Sequence, residues 1–277
     1  MKKINNGKVR VCVAGINGRM GHELIKVLCN NIDGINLTAG LDNINSTLCG
    51  VDIGELVGLK KLEVIVHDNL INIKDDFDIL IDFTRPEATL KHLAFCLDYH
   101  KNMVIGTTGF TNLQKLIINK AAQQIGIVLS SNFSIGINVM LIALQTIVKI
   151  MGKSVDIDII DIHHRRKLDS PSGTALTIKE CIINSLGGDD FQPLIYNCMQ
   201  QGDIRASNSI GMSAIRTGDV IGEHIVMFSG KGERLEITHK ASNRMIYAIG
   251  AARAALWLNK NKIGLFNMLD VLGLTSL

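Results

Sequence analysis

The sequence predicts an α/β protein in which a Rossmann-like domain with a parallel sheet is joined to an α+β domain with a mixed sheet. In the first 133 residues, short and continuously apolar runs alternate with helical patterns, as is typical of parallel strands covered on both faces. After Ser134 a long helical pattern leads into strand-like runs joined by glycine-containing turns. We expect one domain to be formed by residues 1–133 together with 243–277, and the other by residues 134–242.

The expected elements of the first domain follow from its alternating apolar runs and helical periodicity. Strands are expected at 9–15, 35–41, 62–67, 78–83, 102–106 and 126–130, and helices at about 19–30, 86–100 and 112–125. Pro86 fits the first turn of its helix, because the N–H that proline lacks would have no partner there.

The second domain is expected to begin with a long helix at about 137–151 and an alternating acidic and apolar strand at 154–164. The pair Ile159-Ile160 interrupts that alternation and predicts a bulge or a change of face. A helix at about 173–186 and three more strands follow. A helix at 243–259 and a short helical tail at about 264–272 then complete the chain.

Composition restricts the class of protein. The 277 residues are 47% hydrophobic and 20% charged, and the net charge of +3 with 4% aromatic residues does not indicate nucleic-acid binding. The six cysteines show no C-x-x-C spacing, so no metal site is predicted. The longest apolar stretch is interrupted by Gln145 and Lys149, and the N-terminus lacks the apolar core of a secretory signal. We expect a cytoplasmic enzyme or binding protein with no membrane partner.

A glycine-rich turn predicts a dinucleotide site in the first domain. Gly15, Gly18 and Gly21 follow the first strand and open the first helix, where backbone amides and the helix dipole favour a pyrophosphate. Asp42 ends the second strand, 21 residues after Gly21, in the position of an acid that binds an adenosine ribose. Asp42 should repel a 2′-phosphate and Asn43 supplies no cation, so NADH is favoured over NADPH, although Arg19 could partly compensate.

Two further strand ends belong to the same predicted crevice. Thr84 follows one strand, and Gly106, Thr107 and Thr108 follow the next, so both are expected near a nicotinamide and its ribose. The segment 130–136 follows the last strand and enters the long helix, and it is expected to form a hinge and an edge of the nicotinamide pocket.

The stretch HHRRKLDSPSGTA (163–175) predicts an anion pocket in the second domain. Ser170 or Ser172 would cap a helix whose first amides, at Gly173 and Thr174, bind a carboxylate. Lys167 would neutralise that carboxylate together with an inward-facing histidine. His163 and His164 should face opposite sides of the strand and differ in role. The alternative is a basic hairpin that only keeps the domain soluble.

These motifs, spread over essentially the whole chain, resemble the dihydrodipicolinate reductase family, whose current name is 4-hydroxy-tetrahydrodipicolinate reductase. The resemblance lies in GINGRMG (15–21), DFTRPE (82–87), VIGTTGF (104–110), NFSIGINVM (132–140), HHRRKLDSPSGTA (163–175), GEHIVMF (222–228), ERLEITHKASNR (233–244) and GLFNMLDVLGL (264–274). It implies NAD(P)H-dependent reduction of a cyclic dicarboxylate, with loss of water, in lysine biosynthesis through diaminopimelate. It also implies a dinucleotide-binding domain, a substrate-binding and oligomerisation domain that closes on it, and a homotetramer.

The resemblance further implies a role for each matching residue. The adenosine diphosphate would be held by Gly15, Ile16, Asn17, Gly18, Arg19, Met20 and Asp42, and the nicotinamide would be framed by Gly106, Thr107, Thr108, Ser130, Ser131, Asn132 and Phe133. His163 would be the acid/base residue and Lys167 the proton donor, and His164, Gly173 and Thr174 would bind the substrate carboxylate.

The chain departs from the family pattern at several positions, and two other classes of protein compete with this interpretation. Asn43 stands where a basic residue is frequent, Ser130 and Ser131 stand where alanines are common, and Arg244 is either a substrate-side arginine or a surface cation. A non-catalytic NADH sensor would need an effector module such as a helix-turn-helix domain. An aspartate-semialdehyde dehydrogenase would need a cysteine nucleophile in a recognisable turn, and an amino-acid dehydrogenase has less use for paired proton donors.

Overall fold

The computed structural model describes residues 7–30, 32–187, 195–196, 204–206, 209–260 and 263–274. The chain divides into two compact units, of which the first is formed by Met1–Ser134 and Arg244–Ser276 and the second by Ile135–Asn243. The strands are β1 (Val9–Ala14), β2 (Ile35–Leu41), β3 (Val66–His67), β4 (Ile79–Asp82), β5 (Asn102–Ile105), β6 (Gly126–Leu129), β7 (Asp156–His163), β8 (Ile195–Tyr196), β9 (Ile210–Arg216), β10 (Gly222–Ser229), β11 (Arg234–Ala241) and β12 (Gly264–Phe266). The helices are α1 (Arg19–Cys29), α2 (Ile53–Leu56), α3 (Pro86–Asp98), α4 (Asn112–Ala121), α5 (Ile135–Met151), α6 (Gly173–Leu186), α7 (Met245–Leu258) and α8 (Met268–Leu272).

The first unit is built on a seven-stranded sheet in the order β12-β6-β5-β4-β1-β2-β3, and every strand pair in it is parallel. Successive residues of a strand point to opposite faces, so Val11 and Val13 of β1 pack with α1 and α7, whereas Cys12 packs with α3 and α4. Burial on both faces explains the continuous apolar runs. The predicted Rossmann-like sheet is confirmed.

The second unit contains a five-stranded sheet in the order β11-β10-β7-β9-β8. Strand β10 is antiparallel to both β7 and β11, whereas β9 is parallel to β7, so the sheet is mixed as predicted. One face is buried against α5 and α6, with Ile157, Ile159, Val226 and Phe228 fully buried in that core. The α+β character expected for this part of the chain is therefore confirmed.

The structure corrects three details of the predicted elements. The register of β7 is continuous through Ile159 and Ile160, because Ile160 simply points to the less buried face of the sheet, so the expected bulge was wrong. The predicted strand 62–67 is reduced to β3, because Ile65 instead forms an isolated antiparallel bridge with Asp52. The predicted helical tail begins as β12, which pairs with β6, and α8 starts only after Asn267, whose side chain caps it.

Candidate functional site

The glycine-rich turn joins β1 to α1 at the carboxyl end of the first strand. Gly15 has a φ of +68°, a conformation that favours glycine, and the Gly18 N–H donates to the Gly15 carbonyl at 2.9 Å. A β-carbon at Gly21 would lie 2.4 Å from the carbonyl oxygens of Gly15 and Ile16, so the helix packs directly against the turn. The absent side chains therefore leave a close-fitting backbone cradle of the kind a pyrophosphate requires.

The side chains of this turn differ in exposure. Asn17 and Arg19 are exposed together with the backbone of Gly18, Met20 is half-buried, and Ile16 is fully buried in the core. Ile16 could thus contribute to a ligand site only through its backbone. The other residues lie where a bound nucleotide could reach them.

Asp42 follows β2 and borders a cavity of about 630 Å³, a size suited to a small-molecule ligand. The Ser46 hydroxyl donates a 2.7 Å hydrogen bond to Asp42 Oδ2, which orients the carboxylate. Asn43 lines the same cavity, and so do Arg85 and Lys91 of the α3 region. These two cations were missed from the sequence, although Arg85 stands directly before a helix that follows a central strand.

A buried carboxylate organises the ends of β4 and β5. Asp82 is fully buried, accepts hydrogen bonds from the Thr84 amide at 2.9 Å and the Thr84 hydroxyl at 2.6 Å, and lies 2.7 Å from His92 Nδ1. Burial alone would raise the pKa of Asp82, but the contacts with His92 and Thr84 outweigh it and lower that pKa. The buried Thr107 joins this network through Thr89, whose hydroxyl donates to the Thr107 hydroxyl at 2.9 Å. Thr84 and Thr107 are therefore held in fixed orientations.

The neighbouring strand ends are closely packed. The Phe83 ring covers Gly106, where a β-carbon would lie 2.1 Å from a ring atom, and it packs against the fully buried Phe133 with ring centroids 5.3 Å apart. Ser130 Oγ donates to the Asn132 carbonyl at 2.9 Å and makes the segment a tight turn. Thr108 and Ser131 are exposed. The first unit thus brings the predicted cofactor residues to the carboxyl ends of β1, β2, β5 and β6, where ligands bind in open α/β sheets.

In the second unit, Asp161 is the centre of a buried polar cluster. Its Oδ1 lies 2.9 Å from His163 Nδ1 and 3.3 Å from His224 Nε2, and its Oδ2 lies 3.0 Å from Arg216 Nη2. Ser172 donates to both carboxylate oxygens, through its amide and its hydroxyl, at 2.8 Å each. Strands β7, β9 and β10 and the start of α6 are therefore joined at one carboxylate that has no exposed surface.

Ser172 is the cap of α6, which decides between the two serines that the sequence left open. Its hydroxyl accepts a hydrogen bond from the Ala175 amide at 3.1 Å, while the same hydroxyl donates to Asp161. Gly173 is the first helical residue, has no atoms within 4 Å of its missing β-carbon, and is half-buried like Thr174. The first turn of α6 therefore offers room for an anion beside these amides.

Lys167 lies in the turn between β7 and α6. Its Nζ is 2.8 Å from Asp169 Oδ1, and about a fifth of its side chain is exposed. The Lys167 amide donates to the His164 carbonyl at 3.1 Å, which closes the turn. His163 is buried whereas His164 is half-buried. Partial burial raises the pKa of Asp169, but the Lys167 ammonium outweighs this effect and lowers it.

Three atoms of this cluster could in principle hold a metal ion. Ligand atoms of Asp161, His163 and His224 all lie within 4.8 Å of one another. Both oxygens of Asp161 already accept hydrogen bonds from Ser172, and the Arg216 guanidinium lies 3.0 Å away, where it would repel a cation. We therefore interpret the cluster as a hydrogen-bonded network around His163.

Acid should weaken the fold at this cluster. Burial lowers the pKa of His224 more than the contact with Asp161 raises it, so its stabilising contribution is present above the unfolded value of about 6.5 and lost as pH falls below it. We expect His224→Gln to flatten the decline of the free energy of unfolding between pH 7 and 5. Urea unfolding followed by circular dichroism at several pH values measures both slopes, and equal slopes would contradict this assignment.

Among the residues described, no helix combines the length and apolar character needed to cross a membrane. Comparison with known proteins gives matches over nearly the whole chain. The family model for the N-terminus of dihydrodipicolinate reductase matches residues 9–133, and the model for its C-terminus matches residues 136–272.

Solved structures share the fold to different degrees. A dipicolinate-bound dihydrodipicolinate reductase from Paenisporosarcina sp. TG-14 is 26% identical with a TM-score of 0.74, over 95% of this chain and 98% of that one. An amine dehydrogenase from Mycobacterium smegmatis is 12% identical with a TM-score of 0.64, over 95% and 96%. Aspartate semialdehyde dehydrogenase II from Vibrio cholerae is 10% identical with a TM-score of 0.55, over 92% and 99%. The last two likenesses show the fold alone.

Proposed function

The chain belongs to the dihydrodipicolinate reductase family, and from that premise we propose that it reduces 4-hydroxy-tetrahydrodipicolinate to tetrahydrodipicolinate with loss of water. The product lies on the diaminopimelate route to lysine. The observation that carries the proposal is the second unit's pairing of a buried, carboxylate-bound His163 with a capped helix start at Gly173 and the neighbouring Lys167. This arrangement suits a small diacid that must be both bound and protonated.

The proposed chemistry assigns His163 and Lys167 to charge and proton control. When bound, the reduced nicotinamide supplies a hydride to the unsaturated ring. The ring then carries negative charge that must be quenched by a proton at the neighbouring carbon. A protonated imidazole at His163 and the ammonium of Lys167 both stabilise such charge and can deliver the proton.

The substrate carboxylate is proposed to bind at the start of α6. The amides of Gly173 and Thr174 stand at the positive end of the helix dipole, and Ser172 keeps that end fixed by its bonds to Asp161 and Ala175. The bound dipicolinate of the Paenisporosarcina enzyme is a cyclic dicarboxylate of this class. In this assignment Lys167 exchanges its contact with Asp169 for one with the substrate.

The cofactor is proposed to be a nicotinamide dinucleotide bound by the first unit. The residues present fit it, because the positive φ of Gly15 and the packing at Gly21 leave a backbone cradle at the start of α1. Asp42, oriented by Ser46, is available for the ribose hydroxyls. The segments at Gly106–Thr108 and Ser130–Phe133 are proposed to frame the nicotinamide.

We propose that NADH is preferred over NADPH. Asp42 opposes a 2′-phosphate, whereas the Arg85 and Lys91 side chains that line the same cavity attract one, so the preference should be modest. Asn43→Arg adds a cation beside the ribose and should tighten NADPH binding about tenfold, the effect of roughly 1.4 kcal/mol. Fluorescence titration with each nucleotide measures this effect, and Asn43→Gln is the control of similar size. A variant that gains no affinity for NADPH would contradict the placement of the ribose.

The reaction itself is tested by a coupled assay with freshly generated substrate, in which NADH and NADPH oxidation are compared at 340 nm. We expect oxidation only when the substrate is generated. A protein that binds NADH but oxidises neither nucleotide would refute the proposed reaction. DNA retardation that responds to NADH would instead favour the regulator, although the second unit's described residues form a sheet with two helices and no helix-turn-helix.

The cysteines argue against an aspartate-semialdehyde dehydrogenase, which needs a reactive thiolate. Burial raises the pKa of the thiols of Cys12 and Cys96, and partial burial does so for Cys29 and Cys181. The exposed Cys49 also has a raised pKa. Cys198 lies outside the described residues. None of the five described cysteines is therefore an activated nucleophile.

We also infer a cytoplasmic homotetramer, as the resemblance implies. Strand β11 is an edge of the second sheet, and an unpaired edge is a surface on which a second copy can add. Light scattering coupled to size-exclusion chromatography gives the number of subunits directly.

A further inference from the structure

We propose that Asp161 is the positioning residue of this site: it holds His163 at Nδ1 so that Nε2 is presented for acid–base chemistry, and it links that ring to the first turn of α6. The inference rests on the proposed function for its catalytic part. Its structural part, the orientation and tautomer of His163, can be measured without any turnover.

The geometry of β7 supports the first part of the proposal. Asp161 and His163 are two residues apart on one strand and therefore face the same side. Asp161 Oδ1 lies 2.9 Å from His163 Nδ1. A β-carbon on Gly222 of β10 would lie 3.0 Å from His163 Nε2, so the glycine leaves space at the nitrogen that does not face the carboxylate. The two ring nitrogens thus have different surroundings.

A second imidazole shares the same carboxylate oxygen. His224 stands opposite Asp161 on β10, its Nε2 is 3.3 Å from Oδ1, and its ring meets that of His163 edge-on with centroids 5.3 Å apart. Burial lowers the pKa of His224, so this ring is suited to remain neutral beside a charged neighbour. One charged imidazole then faces the carboxylate, and the geometry gives that position to His163.

The remaining contacts keep Asp161 ionised and rigid. Arg216 from β9 pairs with Oδ2 at 3.0 Å, and Ser172 donates two 2.8 Å hydrogen bonds from the start of α6. Burial alone would raise the pKa of Asp161, but the contacts with His163 and His224 and the bonds from Ser172 lower it well below its usual range. A carboxylate held on both oxygens can orient an imidazole as well as attract it.

Every charged or titratable group that faces this carboxylate is accounted for in the described part of the chain. His163 shares β7 with Asp161, His224 lies on β10, and Arg216 lies on β9. Lys167, in the turn before α6, and His239, opposite His224 on β11, act on this cluster electrostatically from further away.

The experiment compares the full-length parent with Asp161→Asn and Arg216→Gln. Nitrogen-15 NMR of ring-labelled histidine, with the His163 signals identified from His163→Gln, reports the tautomer near pH 9, where the imidazole is neutral. We expect the Nδ1–H tautomer of His163 in the parent and in Arg216→Gln, and its loss in Asp161→Asn. We expect Asp161→Asn to lower kcat by about tenfold to a hundredfold, with the NADH dissociation constant unchanged within about twofold.

Arg216→Gln is the matched control, because it removes another partner of the same buried carboxylate while the contact with His163 remains. A merely structural role for Asp161 would make the two variants equally defective, with the tautomer unchanged in both. The Nε2–H tautomer in the parent would overturn the inference even if Asp161→Asn failed to fold. A parent that shows the expected tautomer but no turnover would refute the proposed reaction and leave the positioning confirmed.

Discussion

Replacing Lys167 by alanine is expected to lower the turnover number by about 10²- to 10⁴-fold, the usual range for a group that transfers a proton in the transition state. The ammonium is the nearest cation to the start of α6 that is both partly exposed and paired with an exposed carboxylate, Asp169. The NADH dissociation constant should change by less than about threefold, because the nucleotide cradle is formed by the first unit. Steady-state turnover with generated substrate and fluorescence titration of NADH give the two quantities.

His163→Ala should have an effect of the same order, and the double variant should lose less than the product of the two. Residues that act on one proton transfer are strongly non-additive, because removing either group already stops the assisted step. Arg166→Ala removes a neighbouring, fully exposed cation and should keep turnover within about threefold, as surface cations contribute little. Parental turnover in both Lys167→Ala and His163→Ala would defeat the assignment of these residues.

The elements that local patterns determine were predicted closely, whereas those set by distant partners were not. Helix α6 was predicted within a residue or two, because its capping serine, glycine and periodicity are all local signals. The repeated isoleucines in β7 were misjudged, because hydropathy alone does not show that Ile160 occupies a half-buried outer face. Strand β12 was missed because three residues become a strand only by pairing with β6.

The same distinction applies to the site. The glycine turn and Asp42 were predicted because a strand, a tight turn and a helix start follow one another in sequence. Asp161 was not singled out, although it stands two residues before His163 on the same face of the strand. Its partners Arg216 and His224 come from β9 and β10, and no local pattern indicates that they meet one carboxylate. Only the strand order brings them together.

The second large effect is expected for Gly21→Ala, which should weaken NADH binding at least about a hundredfold, since a displacement near 1 Å at a positioned ligand has effects of that size. The new β-carbon would lie 2.4 Å from the carbonyl oxygens of Gly15 and Ile16. Both are backbone atoms, so no side chain can rotate away to relieve the overlap. The turn must move instead, and it carries the amides proposed to bind the pyrophosphate.

Gly173→Ala provides a matched control for this loss of affinity. Gly173 also stands in the first turn of a helix, but a β-carbon there would meet no atom within 4 Å, and the residue belongs to the second unit. NADH affinity should therefore equal that of the parent in Gly173→Ala. Because Gly21 is buried, thermal unfolding is recorded with and without NADH: the parent should gain stability with the nucleotide, as linkage requires, and folded Gly21→Ala should gain almost none. A folded Gly21→Ala protein with parental NADH affinity would place the dinucleotide away from this turn.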